Sequence, residues 1–165
     1  MSRLPATLIL AALALMASAT ATAAPPADVS GGATVLDGDT LDISGVRIRF
    51  YGVDAPEKSQ WCFVKGEAGK GWPCGQVSKQ ALTDAVRGKT VVCQAKNKDP
   101  YGRTVAVCSV NGVDLNRWMV RNGNAVAYAK YSTAYVNDEI AARRSGTGMW
   151  AGVFQAPWDY RHKGK

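Results

Sequence analysis

Histidine is almost absent from this chain of 165 residues: His162, three residues from the C-terminus in a basic tail, is the only one. A histidine general base, a Ser-His-Asp triad, a Cys-His pair and a histidine-ligated metal are argued against together. The four cysteines show no Cys-x-x-Cys spacing, which leaves zinc without its usual ligand pattern. There is no G-x-x-x-x-G-K-[ST] phosphate loop and no dinucleotide fingerprint. Nothing after the first residues resembles a transmembrane segment. Carboxylate and arginine chemistry remains.

The N-terminus supplies the only long apolar run. Arg3 precedes the segment Leu8 to Met16, and small residues follow, with Ala21-Thr22-Ala23 as a cleavage signal. This layout predicts a secretory signal peptide over residues 1–23, since the apolar core is too short for a membrane anchor. The expected product is exported, periplasmic or extracellular, and free of the membrane. Removing residues 1–23 takes Arg3 alone from the formal net charge of +7 and leaves it near +6. Such a charge on a small domain attracts polyanions, nucleic acid among them.

All four cysteines, Cys62, Cys74, Cys93 and Cys108, lie in the exported part, where an even count favours disulfides. Three connectivities are open. The irregular stretch Ser59 to Gly75 calls for a local staple, Cys62–Cys74. The strand-like runs KTVVCQA and GRTVAVCSV place Cys93 and Cys108 at similar distances from the intervening turn. Pairing those runs as a hairpin predicts Cys93–Cys108.

Residues 24–33, rich in Pro, Gly, Ala and Ser, read as a flexible leader, and 34–165 as one domain. TLDIS and VRIRFYGV flank Ser44-Gly45, a two-residue hairpin turn. In the second run Val46, Ile48 and Phe50 alternate with Arg47, Arg49 and Tyr51, so period two puts both arginines on one face. Helices are expected over 76–87, from Asn116 as N-cap to Gly123, and from about Asn137 to Ser145. Five or so strands, three helices and no βαβ rhythm predict an α+β fold, a small barrel.

Asp37, Asp39, Asp54 and Glu57 are oxygen donors of the kind that suits a hard cation. They do not form an EF-hand: counted from Asp37, Asp42 falls at the glycine position and Ile48 at the final glutamate position. Taken singly, each acid reads as a solvated turn residue. The arginines add a second element, because phosphoryl transfer needs charge stabilisation at the equatorial oxygens, which a guanidinium supplies by paired hydrogen bonds. Arg47, Arg49 and Arg103 sit where hairpins present them, and for Arg47 an ordinary exposed strand face suffices.

LDGDT, RFYGVDAPE, DPYGR, LNRWMVRNGNAVAY and GMW occur in that order from about Thr34 to Trp150. In order and spacing the chain resembles the thermonuclease (staphylococcal nuclease) family. The resemblance implies a five-stranded OB-type barrel with three helices. It also implies a calcium-dependent endonuclease that cuts DNA and RNA and leaves 3′-phosphate ends, a monomer with Ca2+ as its cofactor. Asp39 and Asp54 match the calcium carboxylates, and Ala55 stands where a backbone carbonyl ligates. Glu57 matches the general base, and Arg49 and Arg103 the phosphate-binding arginines. Thr40 and Asp37 match neighbours that shape the metal site, while Tyr101 and Tyr128 are the expected substrate contacts. The chain departs from the family pattern at Pro100, before the Tyr-Gly-Arg motif, and at Lys130, where the family's best-known member has a second pocket tyrosine; Tyr131 follows it.

Two rival readings use the same residues. A non-catalytic OB-fold nucleic-acid-binding module would bind strands through a basic groove and stacking aromatics without cutting them. An envelope structural or adhesion protein would use the carboxylates only for a stabilising ion.

Overall fold

In the computed structural model, which describes residues 26–163, the strand pattern of the sequence closes into a curled mixed sheet. The expected signal peptide lies outside the described residues. Strands β1 (Val29–Gly32), β2 (Thr34–Asp37), β3 (Thr40–Ile43) and β4 (Val46–Phe50) come first. The short β5 (Val53–Asp54), β6 (Cys62–Val64) and β7 (Gly71–Trp72) lead into helix α1 (Cys74–Val86). Then follow β8 (Thr90–Lys98), β9 (Thr104–Val110), β10 (Val113–Asp114) and α2 (Leu115–Arg121). The chain continues through β11 (Val126–Ala127), α3 (Val136–Ser145), β12 (Gly152–Val153) and α4 (Pro157–His162).

The five strands read from the sequence form the path β8-β9-β4-β3-β2, with β4 and β9 parallel and the other pairs antiparallel. The fold is the α+β, OB-type architecture expected. Ser44 and Gly45 both have positive φ, 52° and 84°, so the β3–β4 connection is the two-residue hairpin turn predicted. Alternation does the sorting: Ile48 and Phe50 are buried, whereas Arg49 between them faces the cleft. Leu41, Ile43, Leu82, Val91, Ala106, Met119 and Val120 complete a core between the sheet, α1 and α2.

Four local expectations are corrected. The stretch read as a flexible leader is from Val29 on a strand, paired antiparallel with β8 in the register Val29↔Cys93. Its Gly-Gly sequence carries no alternation, and it orders because β8 offers a free edge to its backbone. A Cβ on Gly31 would lie 3.0 Å from Ile43 Cγ2, so β1 passes close over β3 as the sheet curls. The stretch Ser59–Gly75 is not wholly irregular: β6 pairs with β7 and with β12 in a small separate sheet.

The second helix is capped by Asp114, whose side chain accepts a bond from Arg117 N at 2.9 Å, not by Asn116. Asn116, the second residue of the helix, is wholly buried. Its Oδ1 accepts from Cys108 N at 3.0 Å, and its Nδ2 donates to the carbonyls of Tyr51 and Ala106. Asn116 therefore ties α2 to β9 and to the end of β4. A fourth helix, α4, was not expected. Both predicted disulfides form, Cys62–Cys74 and Cys93–Cys108, the latter between residues directly opposite in the β8–β9 ladder.

Candidate active site

The β2–β3 turn, the end of β4 and the loop after β5 meet in a cleft of about 1080 Å³. The glycine between Asp37 and Asp39 has a steric reason. A Cβ on Gly38 would stand 2.1 Å from Ser78 Oγ of α1 and 2.8 Å from Ala55 Cβ, so only glycine lets the turn sit against the helix and the 54–57 segment. The register shift between Val35 and Asp37 bends β2 just before the turn, as bulges beside functional sites do.

Asp39 and Asp54 are both buried and both held by Arg49. Arg49 Nη1 pairs with Asp39 Oδ1, and its Nη2 donates to Asp54 Oδ1 at 2.6 Å. Asp39 Oδ2 accepts from Ala55 N at 2.7 Å, and Asp39 Oδ1 from Thr40 Oγ1 at 3.0 Å. Thr40 and Ala55 thus fix the Asp39 carboxylate from two sides. Burial would lower the pKa of Arg49, but Asp39 and Asp54 outweigh it and the net direction is up. Burial also raises Asp54, offset in part by the hydrogen bonds of Arg161 and the charge of Arg49. Asp37 rises from 3.8 to about 6, chiefly because it is desolvated and then because Asp39 and Glu57 repel its charge.

Glu57 follows on the loop after β5, its side chain 30% exposed in the cleft. Its backbone is pinned twice. Glu57 N donates to Gln60 Oε1 at 3.2 Å, and the first turn of α1 lies so close that a Cβ on Gly75 would fall 1.7 Å from the Glu57 carbonyl oxygen.

Arg103 stands on the β8–β9 turn, on the rim of the same cleft. Asp99 organises it by accepting from Tyr101 N and Arg103 N, both at 2.9 Å, and from Arg103 Nε at 2.6 Å. Burial works against the Asp99 charge, but the bonds from Arg103 hold its carboxyl below the ordinary value. Tyr101 is 85% exposed, with the Arg103 guanidinium 5.7 Å from its ring centroid. Tyr128 also lines the cleft, yet one face is covered by Trp158, and Tyr131 meets it edge-on. Lys130, Tyr131, Pro100 and Arg47 line the cleft as well.

The sequence-predicted residues are therefore brought together: Asp39, Arg49, Ala55, Glu57, Tyr101, Arg103 and Tyr128 line the cleft, and Asp54 is wholly buried and paired with Arg49. The oxygen donors suit a hard cation in kind. Among the described residues, however, no three acids converge in a ready-made metal cluster. Guanidinium groups, not carboxylate neighbours, occupy the oxygens of Asp39 and Asp54.

One central residue was missed. Arg161 of α4 donates from Nη1 to Asp54 Oδ1 at 2.9 Å and to Glu57 Oε1 at 2.8 Å, and from Nη2 to Asp54 Oδ2 at 2.9 Å. Burial would lower its pKa, but the bonds to Asp54 and Glu57 outweigh this and raise it. In the sequence Arg161 is one of several charges in a basic tail. The only signal beside it is Pro157, suited to a first helical position. Asp99 was also missed as the organiser of Arg103, although an Asp opening a Pro-Tyr-Gly turn is a recognisable turn signature.

Comparison with known proteins agrees with the architecture. Residues 47–152 match the family model described as staphylococcal nuclease homologue. The chain is 36% identical over 140 residues to "Succinoglycan biosynthesis protein ExoI" of Rhizobium meliloti, covering 83% of this chain and 71% of that protein. It is 34% identical over 146 residues to an "Uncharacterized endonuclease" of Escherichia coli O157:H7, covering 83% and 88%. A "Probable staphylococcal-like nuclease" of Oryza sativa subsp. japonica is 31% identical over 118 residues, covering 70% of this chain and 29% of its own length.

Proposed function

The chain belongs to the staphylococcal nuclease homologue family, and on that premise we propose that it is a nuclease, a calcium-dependent endonuclease that hydrolyses phosphodiester bonds of DNA and RNA. The observation that carries the reading is the meeting of Asp39, Arg49, Glu57 and Arg103 along one cleft, with wholly buried Asp54 paired to Arg49. A carboxylate base and guanidinium donors are what phosphodiester hydrolysis asks of a site without histidine.

Glu57, the most accessible of these carboxylates, accepts the proton of the attacking water. Arg49 and Arg103 donate hydrogen bonds to the phosphoryl oxygens as negative charge builds on them. With 3′-phosphate products, the bond that breaks is P–O5′. A bound calcium ion would supply charge neutralisation at the phosphoryl group, and Asp39, Asp54 and the Ala55 carbonyl are the groups that would hold it. Exposed Tyr101 offers a base a stacking face at the cleft rim.

The two disulfides favour an oxidising compartment, in keeping with export behind the signal peptide at residues 1–23. Among the described residues no helix is long and apolar enough to cross a membrane. The working form is a monomer in the periplasm or outside the cell.

The test is incubation of the purified exported form with DNA and with RNA, in calcium, in magnesium and in chelator. Internal cleavage of both polymers with calcium, leaving 3′-phosphate ends, is expected. Binding without cutting under every condition would make the protein a nucleic-acid-binding module instead.

A further inference from the structure

We propose that Arg161 is a positioning residue of the active centre, a clamp from the C-terminal helix that fixes Glu57 against Asp54; this rests on the nuclease reading above. Nothing in the family match assigns it a role, since that match ends at residue 152 and α4 begins at Pro157.

The geometry has three parts. First, the fork of Arg161 grips both oxygens of Asp54, and Nη1 is shared with Glu57 Oε1, all within 2.9 Å. A planar guanidinium holds two carboxylates in one arrangement in a way that a single ammonium does not. Second, Asp54 has no exposed surface, so one end of the clamp is a fixed wall and the other is the partly exposed Glu57. Third, α4 is itself anchored. Buried Gln60 donates to Gln155 O at 2.7 Å while accepting from Glu57 N, Trp158 stacks on Tyr128, and Tyr160 Oη bonds to Ser59 O at 3.2 Å.

The need for such a clamp follows from charge. Asp37, Asp39, Asp54 and Glu57 crowd the same region, and Arg49 reaches only Asp39 and Asp54. Without Arg161, Glu57 is repelled by its neighbours and regains the rotamer freedom of a loop glutamate. A general base has to stand within hydrogen-bond reach of its water, and a displacement of about 1 Å can cost on the order of 10²-fold. An ion pair that served only to stabilise the fold would leave the turnover of the folded protein unchanged.

The experiment uses the whole exported chain. Arg161→Ala, Glu57→Gln and the double variant are melted in chelator, and kcat and KM are measured for Arg161→Ala and Arg161→Lys. Melting shifts of the two single variants are expected to be non-additive, because the charge that Glu57→Gln removes is one half of the ion pair that Arg161→Ala breaks. Arg161→Ala should lower kcat by about 10- to 100-fold with KM within a few-fold. Arg161→Lys should recover stability but little of the turnover. Additive melting shifts, a kcat within two-fold of wild type for Arg161→Ala, or full recovery of kcat by Arg161→Lys would each overturn the clamp. If the wild-type chain cuts nothing, the nuclease reading fails and a positioning role in that reaction falls with it; the melting cycle still decides whether the contact exists.

Discussion

Trp158 of α4 lies flat on Tyr128, with ring centroids 5.3 Å apart and planes 12° from parallel. The stack joins the C-terminal helix to the segment after β11 and takes one face of a tyrosine expected to meet substrate. The exposed rings at the cleft are Tyr101 and Tyr131, 85% and 59% accessible.

Because α4 is short, the stack should govern whether it stays docked. Trp158→Ala is expected to speed amide hydrogen exchange in residues 159–163 by about ten-fold or more, in line with a loss of roughly 1.4 kcal/mol. Exchange in β8 and β9 should be unchanged. Equal acceleration across the whole chain would mean that the helix is part of the global unfolding unit.

Chemistry should follow the assigned roles. Glu57→Gln keeps the shape but cannot take the proton, so turnover should fall by about 10²–10⁴ with little change in substrate binding. Arg103→Ala should cost a comparable factor if its contact forms in the transition state. Arg47→Ala, which alters an exposed arginine on the same strand face as Arg49, should change kcat by no more than a few-fold. Full turnover in Glu57→Gln together with inactivity of Arg47→Ala would reverse the assignment.

Asp37 gives the protein a pH dependence of known sign. Its folded pKa, about 6, lies above the ordinary 3.8, so the folded chain holds the extra proton between those values. The stabilisation is complete below the unfolded pKa and is lost as pH rises through the folded one. In chelator, Asp37→Asn should therefore raise the melting temperature at pH 7 and confer no advantage near pH 3. After discounting for solvent screening at a half-buried group, the gain is on the order of 1 kcal/mol. A melting curve for Asp37→Asn parallel to wild type at all pH values would refute it.

Gly75 bears on the position of Glu57 without touching its side chain. With a Cβ 1.7 Å from the Glu57 carbonyl oxygen, Gly75→Ala forces helix and loop apart. A loss of about 1–3 kcal/mol in thermal stability is expected, with reduced kcat in the fraction that remains folded. An unaltered melt would show that the loop gives way freely.

Reduction should separate the two bridges. Cys93–Cys108 lies wholly buried in the main sheet, and its loss should cost about 2–5 kcal/mol of global stability by denaturant titration. Cys62–Cys74 joins β6 of the small sheet to the first residue of α1, so breaking it should mainly increase proteolysis within residues 59–75. Non-reducing peptide mapping that found Cys62 joined to Cys93 would contradict both.

The sequence by itself determined what depends on neighbours along the chain. Period-two alternation set the faces of β4, Ser44-Gly45 set the β3–β4 turn, and the spacing of Cys93 and Cys108 about their turn set the second bridge. Asp39, Arg49, Asp54 and Glu57 fall within one short stretch of the chain, and their roles were legible through the family resemblance of its LDGDT and RFYGVDAPE motifs. Tertiary structure alone decided the pairing of β1 with β8, the inward turn of Asn116, the cover on Tyr128 and the arrival of Arg161 at Asp54 across 107 residues of chain. Each of these is a meeting of groups with no local preference for one another. They are set by which backbone edges and buried groups still lack partners once the sheet has curled.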